Sequence, residues 1–331
     1  MNPHCLAPPV WLLAPSLIVG LSVASTAAAQ PPTMSALELE ISANPPPDRT
    51  ASLSSELQRA LASKNYERAE QLLAEAIARQ PTSRQLLTRI ARVFTMDRKP
   101  LNAAIALKKA EALGPLDNQE RLQLALAYVA MKRGDWARSE LDRLVAAEPA
   151  NVIHRYWLAR LDYDAGQYDS AIRRLKDVAA EEPTFARAHD NLGLCYEALN
   201  QPDEAIRHYR EAVQLNRVAG NTPSPWPPLN LGILLRSRGE LEDAERLFRE
   251  SLTYDRQFAP GLYQLGAVLE TRDRLDEAVK ALREATASDP TAPEAYYALS
   301  RIYRRKGQTA DADRAMHTFQ RLHQARREQT R

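Results

Sequence analysis

Apolar residues recur along the chain at helical spacing, and the helices they predict come in pairs. Between residues 118 and 149, Leu122, Leu124, Ala125, Leu126, Tyr128 and Val129 form one helical stripe, and Trp136, Leu141, Leu144 and Val145 form a second. Asp117 and Asn118 are capping residues that predict the first start. Lys132 and Arg133 suit the negative end of that helix, and Gly134 is expected to take the left-handed turn that closes it. Asp135 opens the second helix. Pro149 ends it, because proline lacks an N–H and biases Glu148 away from helical geometry. Ala137 adds no bulk, so the two helices approach closely there.

The same text repeats. Pro81, Pro115, Pro149 and Pro183 stand 34 residues apart, with Ala69, Ala103, Ala137 and Ala171 twelve residues before them and Leu73, Leu107, Leu141 and Leu175 eight before. A fixed period of this length predicts a stack of helix pairs, none able to bury its apolar face alone. Repeats start near Thr50, Arg84, Asn118, Val152, Ala186, Pro225, Ala259 and Pro293, giving units 50–83, 84–117, 118–151, 152–185, 186–219, 225–258, 259–292 and 293–326. The period breaks once. The fifth unit is about five residues too long, and its excess reads Asn221-Thr222-Pro223-Ser224-Pro225-Trp226-Pro227-Pro228. Prolines make that insert stiff, and Trp226 on it either binds a partner or plugs the gap between repeats.

The spacing of small, large and proline positions resembles the tetratricopeptide repeat. Leu192-Gly193, Leu231-Gly232 and Leu265-Gly266 match the family's first-helix pair, Tyr128, Tyr196 and Tyr303 its tyrosine, and Ala205, Ala244, Ala278 and Ala312 its small second-helix position. The resemblance implies an all-α, right-handed superhelical solenoid of antiparallel helix pairs over residues 50–331. It also implies a concave groove lined by the first helix of each pair. The family's inward positions, carried onto this sequence, give Tyr156, Trp157, Arg160 and Tyr163, then Asn191, Trp226, Asn230, Tyr263 and Gln264. In the family an asparagine ladder at the place of Asn191 and Asn230 pairs with the backbone of an extended peptide, which an amide does by donating and accepting at once. The alternative is that these asparagines are only family consensus. The clamp for a C-terminal carboxylate is a poor match: Tyr156, Arg160, Trp226 and Asn230 replace its residues, and only Asn191 agrees.

Residues 1–29 read as an export signal, with an apolar run from Val10 to Ala24 and small residues at Ala27 and Ala29 ahead of Gln30. No Lys or Arg precedes the run, so an uncleaved membrane anchor is the alternative. Residues 30–49 form a Pro-rich linker expected to be disordered. The mature chain then keeps a single cysteine, Cys195, in an apolar stripe; no internal disulfide is available, and a buried small hydrophobe is expected.

Charge adds little. The sequence holds 44 Lys and Arg against 42 Asp and Glu, interleaved along helices, which argues against a nucleic-acid footprint. Nine basic and three acidic residues from Arg301 to Arg331 suit either a polar end cap or contact with an anionic membrane or acidic partner. Five histidines beyond the leader lack metal-ligand spacing, and there is neither a phosphate loop nor a nucleophile elbow, so neither a cofactor nor an enzymatic activity is expected. The sequence therefore reads as an exported adaptor that binds a protein or peptide. A self-assembling structural protein, or a regulatory subunit of an envelope enzyme or secretion complex, is the alternative.

Overall fold

Sixteen helices form two by two in the computed structural model, which describes residues 50–218 and 223–329. The leader and linker read from residues 1–49 lie outside the described residues, as does part of the proline insert. In order, α1 (Thr50–Ala62) and α2 (Tyr66–Arg79) make the first pair, α3 (Arg84–Met96) and α4 (Pro100–Leu113) the second, α5 (Asn118–Ala130) and α6 (Gly134–Ala147) the third. Then come α7 (Val152–Asp164) with α8 (Tyr168–Glu181), α9 (Ala186–Ala198) with α10 (Pro202–Asn216), and α11 (Trp226–Ser237) with α12 (Leu241–Tyr254). Last are α13 (Ala259–Thr271) with α14 (Leu275–Ser288), and α15 (Pro293–Arg305) with α16 (Thr309–Gln329). No strand occurs among the described residues.

Starts and stops follow local chemistry. Asp117 and Glu120 form a reciprocal capping box at α5, each side chain accepting the other's backbone N–H. Pro100, Pro202 and Pro293 open α4, α10 and α15, where a missing N–H costs nothing. Within each pair the turn carries one left-handed residue, and these fall at a fixed place: Lys64, Arg98, Lys132, Gly166, Asn200, Gly239, Asp273 and Gly307. This corrects the expectation for Gly134, which starts α6 instead. The left-handed position is set by the turn, and in the third pair it falls on Lys132 at φ +56°.

The chain divides into two compact units, up to Arg174 and from Leu175 onward. In the first, α1 to α7 pack each on the next, and the alanines of the second helices, Ala69, Ala103 and Ala137, are wholly buried with Leu73, Leu107 and Leu141. In the second, α9 to α16 do the same, and the first helices α9, α11, α13 and α15 also touch in sequence. A Cβ built on Gly193 would lie 2.4 Å from the Tyr209 ring, on Gly232 2.6 Å from Phe248, and on Gly266 2.5 Å from Leu282. Glycine at these places is a packing requirement, since its own φ is ordinary.

Carboxylates and basic residues one repeat apart add to the stacking. Arg84 meets Glu120, Lys99 meets Glu70 at 2.8 Å, Arg217 meets Glu250 at 2.5 Å, and Arg301 meets Glu270 at 2.5 Å. Glu245, buried on α12, collects Arg249 of its own helix and Arg272 and Arg274 of the turn between α13 and α14 at 2.6–2.8 Å. Exposed pairs of this kind contribute roughly 0–1 kcal/mol each. Burying Glu120, Glu245 and Glu270 makes loss of their partners costlier, because each would leave a buried charge uncompensated.

Three glycines separate the two roles of that residue. Gly232→Ala forces a methyl into the Phe248 ring and is expected to cost about 1–3 kcal/mol. Gly239→Ala, with open space around it but φ +83°, should lose about 1–2 kcal/mol from backbone strain alone. Gly134→Ala, with nothing near and an ordinary φ, should be neutral or stabilising by about 0.4–1 kcal/mol. Thermal and urea unfolding midpoints of the three variants check this order.

Candidate functional site

The inward residues foreseen in the first unit are part of its core. On α7, Tyr156 is 2% and Trp157 5% exposed, their rings packed edge to face at 5.5 Å. Arg160, 7% exposed, lies over the Tyr163 ring at 5.5 Å and 3.8 Å from Asp164. Tyr156 and Trp157 therefore serve packing and do not offer faces to a partner, which corrects the role given them. Large rings at adjacent helix positions bury best by meeting each other. One residue here went unforeseen. Asp162 stands where other repeats carry tyrosine, is 1% exposed, and is held by Arg138 at 2.6 Å and Arg174 at 2.9 Å. A carboxylate inside an apolar stripe was the signal for it.

In the second unit the asparagine ladder is committed internally. The Asn191 amide nitrogen donates to the Arg187 carbonyl at 2.8 Å, and that of Asn230 to Asp190 Oδ1 at 2.9 Å. Both asparagines are about 5% exposed or less. Asn230 with Asp190 thus ties α11 to α9, where a ladder would have presented its amides to a peptide backbone.

Trp226 is half-buried at the start of α11, its ring edge-on to buried Phe258 at 5.0 Å. Two buried side chains hold the strand of chain leading to it. Asn216 donates to the Ser224 carbonyl at 2.9 Å and accepts the Ser224 N–H at 2.8 Å, and Ser251 donates to the Pro225 carbonyl at 2.9 Å. The gap-plugging reading of Trp226 is the one this packing supports.

A polar face remains on α11, α13 and α15. Burial pushes the Tyr263 phenol up; Glu294 and Glu270 push the same way, while Arg236 and Arg301 oppose. The four charged side chains thus act on Tyr263 from three helices. Glu270 is satisfied by Arg301, whose guanidinium donates to both its oxygens at 2.8 and 2.5 Å. Three atoms on these helices are enclosed without a hydrogen-bond partner: Arg236 Nε, Gln264 Oε1 and Glu294 Oε2. Burial also raises the Glu294 carboxyl, against Arg326, which reaches its other oxygen at 3.3 Å. The sequence singled out Tyr263 and Gln264 here. It passed over Glu294, at the family's second inward position of the last repeat.

The basic C-terminal run is largely engaged. Arg301, Arg305, Lys306, Arg314 and Arg326 each meet a carboxylate, three of them on the preceding repeat. Among the described residues no helix is long and apolar enough to cross a membrane, and no group of His, Cys, Asp and Glu is placed to hold a metal ion. Cys195 is buried.

The fold and this face define a helical-repeat protein whose first helices form a continuous surface within the second unit. Models of the tetratricopeptide repeat match residues 56–118, 184–257 and 235–302, and the chain belongs to that family. A model described as subunit 3 of the anaphase-promoting complex, or cyclosome, matches residues 140–212. Cell division cycle protein 27 homolog A of Arabidopsis thaliana is 28% identical over 100 residues, which are 30% of this chain. The match spans 13% of that relative's length. Among solved structures, the APC/C hetero-tetramer Cut9-Hcn1 is similar with a TM-score of 0.59 at 16% identity, covering 81% of this chain and 52% of that one. PilW, a widely conserved type IV pilus biogenesis factor, gives 0.53 at 20% identity, covering 61% and 92%. The pilF protein of Pseudomonas aeruginosa gives 0.50 at 19%, covering 66% and 96%. At these identities the likeness is one of fold.

In the second unit buried His208 pairs with the half-buried His189. His189 and His208 meet Nδ1 to Nδ1 at 3.3 Å, and Tyr196 stacks on His208 at 5.3 Å. One ring must donate and the other accept, so the contact needs at least one neutral histidine. Burial, then Arg207 and His189, push His208 down to about 4, and burial lowers His189 too, opposed by Glu211. An unfolded histidine titrates near about 6.5. As pH falls from there toward 4, the unfolded chain therefore takes up protons that the folded repeat refuses, and stability drops. The thermal midpoint should fall across that window, and His208→Gln should flatten the slope. Parallel profiles for the two proteins would contradict it.

Proposed function

We propose that the chain is a non-catalytic adaptor that captures an extended segment of a partner protein on the face formed by α11, α13 and α15. The observation that carries this reading is the run of first-helix contacts through α11, α13 and α15, which sets charged side chains from all three helices around Tyr263. An extended backbone offers one donor and one acceptor per residue and suits a polar row of this kind. Membership of the tetratricopeptide-repeat family favours a peptide or protein ligand. The leader-like residues 1–29 favour an envelope location, with export or anchoring both compatible with an adaptor. Leu101 and Ile105, exposed one turn apart on α4, favour self-association as a second reading, which sedimentation against concentration separates.

The test is direct. Peptides selected on the full chain from a blocked, randomised library are titrated against wild type, Tyr263→Ala and Trp136→Ala. Tyr263→Ala should weaken binding about ten-fold or more, as loss of a central aromatic contact does. Trp136, exposed on the second helix of the third pair, should have no effect. Equal affinity for wild type and Tyr263→Ala would remove the reading.

A further inference from the structure

We infer that α16 is a dimerisation helix: two copies of the chain pair through it, antiparallel about a two-fold axis at Phe319.

The repeats themselves show what α16 lacks. Two places on each earlier second helix are sealed in the stack. Four residues after the small alanine, from Leu73 to Leu282, the side chain is never more than 1% exposed. Seven residues after it, from Ala76 to Ala285, exposure never exceeds 9%. The following pair closes this second place: a Cβ on Gly261 would lie 3.2 Å from the hydroxyl of Ser251, which holds the place in the sixth pair. No ninth pair follows α16 among the described residues, and there the same two places, Met316 and Phe319, are only half-buried, with Leu322 beside them. Phe319 is larger than any side chain at its place in the other pairs. With Tyr297, 45% exposed and 5.2 Å away, it makes a partly open aromatic patch. Aromatic residues are enriched in this way at the cores of protein interfaces. The helix also runs 21 residues against 14 in α14, so its basic end overhangs the pair.

Charge selects the occupant. Glu70 and Glu245, one residue past the alanine, each meet a base from the next pair's turn, Lys99 and Arg274. Asp313 holds that place on α16, is exposed, and meets no base among the described residues. The first pair of another copy does not supply one, since Asn65 stands where Lys99 and Arg274 do. A second α16 does. Its first turns carry Asp311 and Asp313 against Arg314, and its last carry Arg321, Arg326 and Arg327 against Glu328. Antiparallel copies therefore set the acidic end of each helix on the basic end of the other. Phe319 is the middle residue of α16, so the same arrangement brings the two Phe319 rings together and Met316 opposite Leu322.

Sedimentation equilibrium of the full chain tests this. Twice the monomer mass is expected at tens of micromolar. Phe319→Glu should weaken association about ten-fold or more, as loss of a central aromatic contact does. Leu101→Glu, on the exposed side of α4, should leave it unchanged. Charge variants report on the arrangement without entering the packed seam. Asp311→Lys with Asp313→Lys, and Arg326→Glu with Arg327→Glu, should each be monomeric alone and form a dimer when mixed. A monomer throughout that range, or a dimer indifferent to Phe319→Glu or lost in Leu101→Glu, would overturn the inference. So would charge variants that pair alone as readily as when mixed.

Discussion

The closeness of the two helices in a pair is the constraint on which the rest depends. In the second unit it is enforced where Gly193, Gly232 and Gly266 lie under Tyr209, Phe248 and Leu282, with no room for one more carbon. On the other helix Ala205, Ala244, Ala278 and Ala312 are fully buried for the same reason. A pair held this tightly presents its remaining apolar side chains as a flat seam. The next pair must cover that seam, because a lone pair cannot bury it. The stack, the row of first helices and the face they make all follow from a few missing side-chain atoms.

Charge serves the same stack. The near-equal numbers of acidic and basic residues are spent across repeat junctions, where Arg217 with Glu250, Arg274 with Glu245 and Arg301 with Glu270 join residues about one period apart. On the first helices Glu270 is used this way, and Glu294 differs from it. Glu294 belongs to the last pair, where no further repeat follows in the described residues to supply a basic partner of the kind Arg301 gives Glu270. Its basic contact comes from the long terminal helix α16, beside a hydrogen bond from its own backbone.

The fold was legible because a repeat states its packing several times over. Ala137 or Leu141 alone says little, but recurrence every 34 residues marks both as buried, and the structure buries both completely. Turn geometry was less legible. The left-handed residue is glycine in only three of the eight turns among the described residues, and Lys132 or Asn200 gives no sign of it. The site was least legible, since pattern gives the face of a side chain but not its hydrogen-bond partner. Asn191 and Asn230 stand where a peptide-binding ladder would, yet the Arg187 carbonyl and Asp190 had already claimed their amides. Tyr156 and Trp157 point inward and are consumed by each other. Gln264 and Glu294 acquire their interest only from atoms that nothing reaches, a property no single sequence displays.

The central claim is that this face, and no other surface of the second unit, receives an extended segment. A crystal structure of the full chain with a library-selected peptide tests it most directly. The account predicts the peptide lying across α11, α13 and α15, with one of its side chains against Tyr263. A peptide seated instead on the second helices α10, α12 and α14 would contradict it.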